Sequence, residues 1–212
     1  MKVLFATTNP AKVKKYKERL AKEGIEIITI KDLSIKLDIE ETGKDAIENA
    51  YIKAKSYYDE TKIPTIGLDD NLFIEDILPK DQPGTKVRRI NGKELTDEEM
   101  IEHYTNLVKK YGKKLSAKWV YGMVIYKDDI AYKYTWSKEN FYFVDTPSEK
   151  INNGYPLDSI SIVPKLNKYF VDLTKEEKEE YQKQENFEEV INFIVKSLKN
   201  DQRSQNEHNN ML

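Results

Sequence analysis

The N-terminal segment predicts a strand, a short polar loop and a helix, and this order constrains the fold more than any other stretch. Residues 2–7 are mostly apolar, whereas residues 10–23 repeat apolar side chains at helical spacing. Asn9 suits a helix cap, and Pro10 suits the first helical position. Free backbone N–H groups and the positive helix end would meet at the loop, where Lys12 adds a positive charge. A phosphorylated ligand is therefore predicted here, with an ordinary capped helix as the alternative interpretation.

The remaining pattern predicts an α/β fold. Further helices are expected from capping boxes and from apolar periodicity, at Asp45–Glu48, Thr96–Glu99, Thr174–Glu177 and over 187–198. Further strands are expected at 25–30, 64–68, 117–126, 129–136, 141–144 and 160–162. Because strand–helix–strand units precede an antiparallel meander, we expect an α/β chain with a mixed sheet, arranged in two lobes. Residues 1–199 are expected to form one domain, and the polar residues 200–212 a disordered tail.

Composition excludes several functional classes. The chain has no cysteine and two histidines, which excludes thiolate catalysis and disfavours histidine-based metal sites or triads. The net charge is −2 and no apolar run reaches membrane-spanning length, so we expect neither polymeric nucleic acid nor a membrane as a partner, and a cytoplasmic location. The missing G-x-G-x-x-G after the first strand disfavours a Rossmann dehydrogenase. Four large aromatic residues are expected in the core: Trp119, Trp136, Phe141 and Tyr142.

Acidic residues at three places suggest a metal-assisted site. Glu40-Glu41 lies in a predicted loop, Asp69-Asp70 ends a predicted apolar strand, and Asp158 lies in a turn-rich segment. Mg²⁺ favours one or two carboxylates together with water and substrate phosphate oxygens. A carboxylate beside such a metal can also orient an attacking water. Surface solvation is the alternative for each site, because 37 of the 212 residues are acidic.

Six segments occur in the order and spacing typical of one enzyme family. They are Thr7-x-Asn9-x-x-Lys12, Glu40-Glu41-Thr42-Gly43 with Glu48-Asn49-Ala50 and Lys53-Ala54, Leu68-Asp69-Asp70, Pro83-Gly84 through Arg89, Gly154-Tyr155-Pro156-Leu157-Asp158, and Leu173-Thr174-Lys175-Glu176-Glu177-Lys178. Together they resemble the inosine triphosphatase family, also called the HAM1-like or XTP/dITP diphosphatase family. The resemblance covers residues 1–180 and implies cleavage of a nucleoside triphosphate, with Mg²⁺, to monophosphate and pyrophosphate. It also implies a homodimer and an α/β fold with an elongated mixed central sheet flanked by helices, in two lobes with a cleft between them.

The resemblance implies a role for each matched residue. Asp70 would bind metal or activate water, with its neighbour Asp69 as second candidate. Glu40 would help to hold Mg²⁺, with Glu41 as the alternative. Lys12, with the backbone of Thr7, Thr8 and Asn9, would hold the triphosphate, and Lys53 would be a further cation in the cleft. Asn71 is also expected to contact the substrate, and Lys178 would approach the nucleotide from the start of its helix. Tyr155 would stack on the base and Asp158 would read its edge.

The departures from the family pattern concern the base more than the phosphates. Family members carry Ser-His-Arg after the position of Lys178, where this chain has Gln182-Lys183-Gln184. Pro156 replaces a glycine, and Asn71-Leu72 replaces Ser-Gly. We therefore expect pyrophosphatase chemistry on aberrant purine nucleotides such as ITP, dITP or XTP, with an altered base preference. A catalytically weak nucleotide-binding protein is the alternative, and a single-stranded nucleic-acid binder is disfavoured because basic residues alternate with Glu.

Overall fold

The computed structural model describes residues 1–112, 114–184 and 186–199. Nine strands and five helices lie in the described residues, together with three short 3₁₀ turns. The strands are β1 (Lys2–Phe5), β2 (Glu26–Thr29), β3 (Thr65–Ile74), β4 (Arg89–Ile90), β5 (Lys93–Glu94), β6 (Lys114–Lys127), β7 (Ile130–Val144), β8 (Ser161–Val163) and β9 (Lys168–Tyr169). The helices are α1 (Pro10–Ala21), α2 (Ala46–Thr61), α3 (Asp97–Tyr111), α4 (Lys175–Gln184) and α5 (Phe187–Lys199). No helix in the described part of the chain is both long and apolar enough to cross a bilayer.

Seven strands form one mixed sheet in the order β2-β1-β3-β6-β7-β8-β9, and β4 pairs with β5 in a separate hairpin. The β1 strand runs parallel to β2 and β3, whereas the other pairs of the large sheet are antiparallel. The predicted α/β fold with a mixed sheet flanked by helices is confirmed.

Local signals place the helix starts as the sequence predicts. The Asn9 side chain accepts a hydrogen bond from the backbone N–H of Ala11, with Pro10 beginning the helix. Thr96 and Glu99 form a complete capping box. Thr174 and Glu177 exchange the same two bonds at the start of α4.

Strand β3 differs from its prediction, because it runs through the acidic pair instead of ending there. Asp69 and Asp70 lie in the middle of a ten-residue strand. All ten residues of β3 pair with β6. The backbone hydrogen bonds of these antiparallel pairs continue the strand through Asp69 and Asp70, although the apolar pattern of the sequence ends there. Asn71 and Leu72 therefore also lie within this strand.

The predicted separate strand at 141–144 is also wrong, since these residues end the long strand β7. Asn140 adopts a positive φ of 62°, and the register with β6 shifts between Ala117 and Trp119. This irregularity breaks the alternation in the sequence and makes one strand look like two. The predicted turn at Asp128-Asp129 is confirmed, with positive φ at both residues, as a two-residue hairpin requires.

One edge of β3 is open in the middle. The β1 strand pairs only with Thr65 and Ile66. The next contact on that edge is the bridge between Leu72 and Gly84. Between these points, no strand of the described residues covers this edge, so the segment that holds Asp69 and Asp70 faces the loops after β1 and before α2.

Two hydrophobic cores share one face of the sheet, as expected for two lobes. Ile66 and Leu68 belong to a core built with α1 and α5. Leu72 and Ile74 belong to a second core built with α3. Because side chains alternate along a strand, Asp70 lies on the same face, between the two cores.

Helix α2 packs closely on the opposite face because glycines remove the obstructing side chains. A Cβ at Gly67 would overlap the carbonyl oxygen of Ala50, and one at Gly122 would overlap the backbone of Ile47. This close approach brings Lys53 of α2 to β3.

Candidate active site

A charged pair joins the N-terminal loop to β3. The Lys12 Nζ atom donates to Asp70 Oδ2 at 2.6 Å, and both side chains are about four-fifths buried. Burial alone would lower the pKa of Lys12, but the carboxylates of Asp70, Asp69 and Glu41 outweigh it and raise that pKa. Lys12 is therefore held as an ammonium group at the positive end of α1.

A second charged group lies on the α2 face of the same strand. The Lys53 Nζ atom lies 3.1 Å from Asp69 Oδ1 and 3.0 Å from Glu41 Oε1. Asp69 and Asp70 thus contact different lysines, since neighbouring residues of a strand point to opposite faces. Glu40 is exposed, and Glu41 is the acid that contacts Lys53.

Two buried oxygens on this face lack a hydrogen-bond partner among the described residues, Asp69 Oδ2 and Asn71 Oδ1. Burial, followed by the charges of Asp70 and Glu41, raises the pKa of Asp69 against the opposing effect of Lys53. A buried carboxylate with a free oxygen favours a cation or an ordered water at this point.

The glycine-tyrosine segment connects the loop to the second lobe. The Gly154 carbonyl accepts a hydrogen bond from Asn9 Nδ2 at 3.2 Å, and its N–H donates to Asp97 Oδ2 at 2.9 Å. Asp97 also accepts a hydrogen bond from Arg88 Nη2 at 2.7 Å. A single residue, Gly154, therefore connects the starts of α1 and α3.

Tyr155 lies half-buried beside the charged groups. Burial raises the pKa of its hydroxyl, and the charges of Asp70 and Asp158 add to the effect. Asp158 accepts a hydrogen bond from Asn152 Nδ2 at 2.8 Å. Tyr155 is thus close enough to Asp70 to sense its charge, and Asp158 is close to Tyr155.

Lys178 lies in helix α4. It begins the second turn of α4 and contributes to the lowered pKa of Asp172, after the larger effect of the Lys150 hydrogen bond. Its place near the substrate stays a prediction. The departure at Gln182-Lys183-Gln184 falls on side chains outside the described part of the structure, and so does the predicted tail at 200–212.

Sequence reasoning missed residues that hold the site together. Asp97 gives no sign of a second role in the sequence, because acidic residues are common in the first turn of a helix such as α3. Tyr104 is fully buried, donates to the carbonyl of Val87 at 2.9 Å, and has a pKa raised by burial and by Asp70. Tyr121 pairs directly with Asp70 across β3 and β6. None of these contacts is local in sequence, so no motif could indicate them.

A sequence model of the Ham1 family matches residues 3–190. The chain belongs to the Ham1 family. The resemblance drawn from six segments is therefore confirmed, and it extends over nearly the whole chain.

Individual Ham1 relatives cover almost the full length. A dITP/XTP pyrophosphatase of Thermoanaerobacter pseudethanolicus is 32% identical over 202 residues, covering 93% of this chain and 98% of the relative. One from Leptospira interrogans is 31% identical over 192 residues, covering 90% and 95%.

Solved structures of the family share the fold. A HAM1 protein from Coxiella burnetii has a TM-score of 0.74 at 24% identity, covering 92% of this chain and 99% of that one. The Ham1 protein of Staphylococcus aureus has a TM-score of 0.70 at 24% identity, covering 93% and 98%. The sheet and helices described above are therefore those of the Ham1 fold.

Proposed function

We propose that this protein is a nucleoside triphosphate pyrophosphatase that releases pyrophosphate from aberrant purine nucleotides such as ITP, dITP or XTP. The observation that carries the proposal is the buried Lys12–Asp70 pair at the capped start of α1. It joins an anion-binding helix end to a carboxylate on an open strand edge. The names of the full-length Ham1 relatives support the same reaction.

Each group at this site has a task in phosphoanhydride cleavage. The backbone of Thr7, Thr8 and Asn9 and the Lys12 ammonium would bind the phosphate oxygens. Asp70 would then exchange the lysine for a water, which it orients toward the α-phosphorus. Lys53 would offset the negative charge that builds up on the α2 side.

The acidic side chains offer the oxygen ligands that Mg²⁺ prefers, and no three metal-ligating side chains form a ready-made cluster among the described residues. Asp70 with Glu40 or Glu41 would hold the ion through carboxylate oxygens, which this cation prefers. A positive charge here would also offset the repulsion of Asp69 by Asp70 and Glu41, which contributes to the raised pKa of Asp69. When bound, Mg²⁺ would neutralise charge on the phosphates and on the departing pyrophosphate.

The proposal has two further parts, of which only the first follows from the loss of Ser-His-Arg. First, base preference is altered or relaxed, because different donors near the base favour different edges. Second, we propose a cytoplasmic homodimer, which rests on family resemblance. A nucleotide-binding protein with little turnover is the alternative that the same replacement favours.

A substrate panel tests the proposed function. Pyrophosphate release is measured from ITP, dITP, XTP and the ordinary nucleoside triphosphates, each with Mg²⁺ and with a chelator. We expect Mg²⁺-dependent release of pyrophosphate together with the nucleoside monophosphate. Release of orthophosphate instead, or tight binding with no turnover of any substrate, would contradict the proposal.

A further inference from the structure

Asp97, the first residue of α3, accepts hydrogen bonds from two parts of the chain that are far apart in sequence. Its Oδ2 atom accepts from the N–H of Gly154 at 2.9 Å, and its Oδ1 atom accepts from Arg88 Nη2 at 2.7 Å. The same guanidinium donates through Nη1 to the carbonyl of Leu95 at 2.9 Å. Each carboxylate oxygen therefore has its own donor, and the fixed fork of the arginine determines which oxygen remains for Gly154.

The segment that carries Arg88 is attached to the candidate active site. The carbonyl of Val87 accepts a hydrogen bond from the buried hydroxyl of Tyr104 at 2.9 Å. Further upstream, Gly84 and Leu72 of β3 exchange two backbone hydrogen bonds, at 2.9 Å and 3.1 Å. Arg88 thus belongs to a segment that is fixed to β3 close to the acidic pair.

The same contacts return to the acidic pair from the opposite side. The Gly154 carbonyl accepts a hydrogen bond from Asn9 Nδ2 at 3.2 Å, and Asn9 caps the helix that carries Lys12. Lys12 in turn donates to Asp70 at 2.6 Å. An unbroken series of contacts therefore runs from β3 through the start of α1, Gly154 and Asp97 and back to β3.

We propose that Asp97 is a positioning residue for substrate binding, an inference that rests on the proposed function. Its carboxylate fixes Gly154 and, with it, the segment that carries Tyr155. Arg88 acts through Asp97, because it neutralises the carboxylate and holds one of its oxygens. If Gly154 were released, this segment would move relative to α1, and small displacements at a binding site are costly. Since Asp97 itself does not contact the reacting atoms, the loss falls on KM more than on kcat.

Asp97→Asn tests the role of the carboxylate, because it keeps the shape of the side chain but leaves one oxygen for two donors. A charged guanidinium forms the stronger hydrogen bond, so we expect Arg88 to take that oxygen. The N–H of Gly154 then faces an amide NH₂ group and loses its acceptor. We expect KM for the preferred triphosphate to rise about tenfold, with kcat within about threefold of wild type.

A second substitution tests whether Arg88 acts through Asp97. Methionine has no donor, so Arg88→Met in the Asp97→Asn background frees the amide oxygen for Gly154. We expect the double variant to recover a KM within about threefold of wild type, whereas two independent losses would multiply. Arg88→Met alone keeps the bond to Gly154 and should also stay within about threefold.

Hydrogen exchange of the Gly154 amide gives a readout that does not depend on turnover. The chain has eight glycines, so selective ¹⁵N-glycine labelling yields few signals, and Gly154→Ala identifies the relevant one. We expect this amide to exchange at least about tenfold faster in Asp97→Asn than in wild type, and to be protected again in the double variant with Arg88→Met.

Asp81→Asn is the matched control. The side chain of Asp81 is 21% exposed, against 22% for Asp97, and it accepts a hydrogen bond from Lys110 Nζ at 2.6 Å. Lys110 lies in the last turn of α3, at the opposite end from Asp97. We expect Asp81→Asn to leave KM unchanged. Thermal unfolding of every variant confirms that the fold is retained.

The outcomes distinguish this inference from the proposed function. A wild-type protein without turnover would contradict the function, and the Kd of an α,β-methylene triphosphate then replaces KM in each comparison. An unchanged KM in Asp97→Asn would overturn the inference and leave the pyrophosphatase intact. Equal KM values in Asp97→Asn and in the double variant would overturn it too, since Arg88 would then not compete for the oxygen. An equal rise in Asp81→Asn would assign the effect to general destabilisation and also overturn the inference.

Discussion

At the scale of single residues, Asp69 and Asp70 are neighbours with different environments. Asp70 lies in the cleft between two cores and contacts the lysine of the N-terminal loop. Asp69 points to the other face, where burial raises its pKa. Neighbouring side chains of a strand point to opposite faces of the sheet, so these two adjacent acids have different surroundings and different proposed roles. Asp70 is the candidate for chemistry and Asp69 the candidate for charge balance.

Replacing Asp70 tests the first of these assignments. Asp70→Asn keeps the shape but cannot accept a proton or hold a water as a carboxylate does. We expect turnover to fall by about a hundredfold or more. Pyrophosphate release measures the loss, and thermal unfolding checks the fold. Asp59→Asn, in an exposed pair on α2, is the matched control and should retain activity. Near-wild-type turnover in Asp70→Asn would contradict the assignment.

The raised pKa of Asp69 predicts a pH dependence of stability. The folded state holds this proton more tightly than the unfolded state, so the contribution to the free energy of unfolding is present at low pH. It is lost as the pH rises from the ordinary value of 3.8 through the raised pKa of the folded state. Asp69→Asn lacks this titration. We expect its free energy of unfolding, relative to wild type, to improve as the pH rises through that window.

Urea unfolding at several pH values between about 4 and 7 measures this difference. A difference between Asp69→Asn and wild type that stays constant with pH would show that the carboxyl titrates equally in both states. A difference that moves in favour of wild type as the pH rises would reverse the sign and contradict the burial argument.

At the scale of elements, the start of α1 combines two tasks in one side chain. The Asn9 oxygen caps the helix, and its amide nitrogen donates to the Gly154 carbonyl. A capping residue with a shorter side chain, such as serine, can cap the helix but cannot reach the Gly154 carbonyl. The element thus couples helix stability to the position of the segment that carries Tyr155.

Two variants separate these tasks. Asn9→Ser retains a cap but loses the reach to Gly154, whereas Asn9→Ala loses both. We expect Asn9→Ala to lower the free energy of unfolding by about 1 kcal/mol and Asn9→Ser to change it little. Both should raise KM severalfold, because each loses a hydrogen bond worth roughly 1 kcal/mol. An unchanged KM in both variants would show that the Gly154 contact does not support binding.

Elements differ in how far the sequence alone predicts them. Helix starts and the Asp128-Asp129 turn depend on residues within a few positions, so their signals are visible in one sequence. The passage of β3 through Asp70 depends on β6, which lies about fifty residues further along the chain. Register between distant strands leaves no local pattern, so the cap at Asn9 was predictable and the pairing of Asp70 with Tyr121 was not.

At the scale of the whole molecule, Gly154 links polar groups of the two lobes. Its carbonyl accepts a hydrogen bond from Asn9, and its N–H donates to Asp97. Asp97 is in turn paired with Arg88. The width of the cleft between the two cores is therefore sensitive to a single backbone position. A substrate that contacts both lobes would respond to changes there.

Gly154→Ala tests this dependence on cleft geometry. Gly154 has a φ of +83°, and an added Cβ would lie 2.9 Å from Asn9 Oδ1 and 3.0 Å from Ala11 Cβ. Gly92 has a nearly equal φ of +80° with open space around it, so Gly92→Ala carries the backbone strain without the contact. We expect both variants to lose about 1–2 kcal/mol of unfolding free energy from that strain.

Only Gly154→Ala should raise KM in addition, because its methyl group pushes the α1 loop away from the segment that carries Tyr155. Steady-state kinetics on the preferred triphosphate, with thermal unfolding in parallel, measure the two effects separately. If KM rises equally in Gly92→Ala and Gly154→Ala, the effect belongs to general destabilisation. If it rises in neither, the cleft tolerates the added methyl, and substrate binding does not depend on how closely the two lobes meet at this peptide.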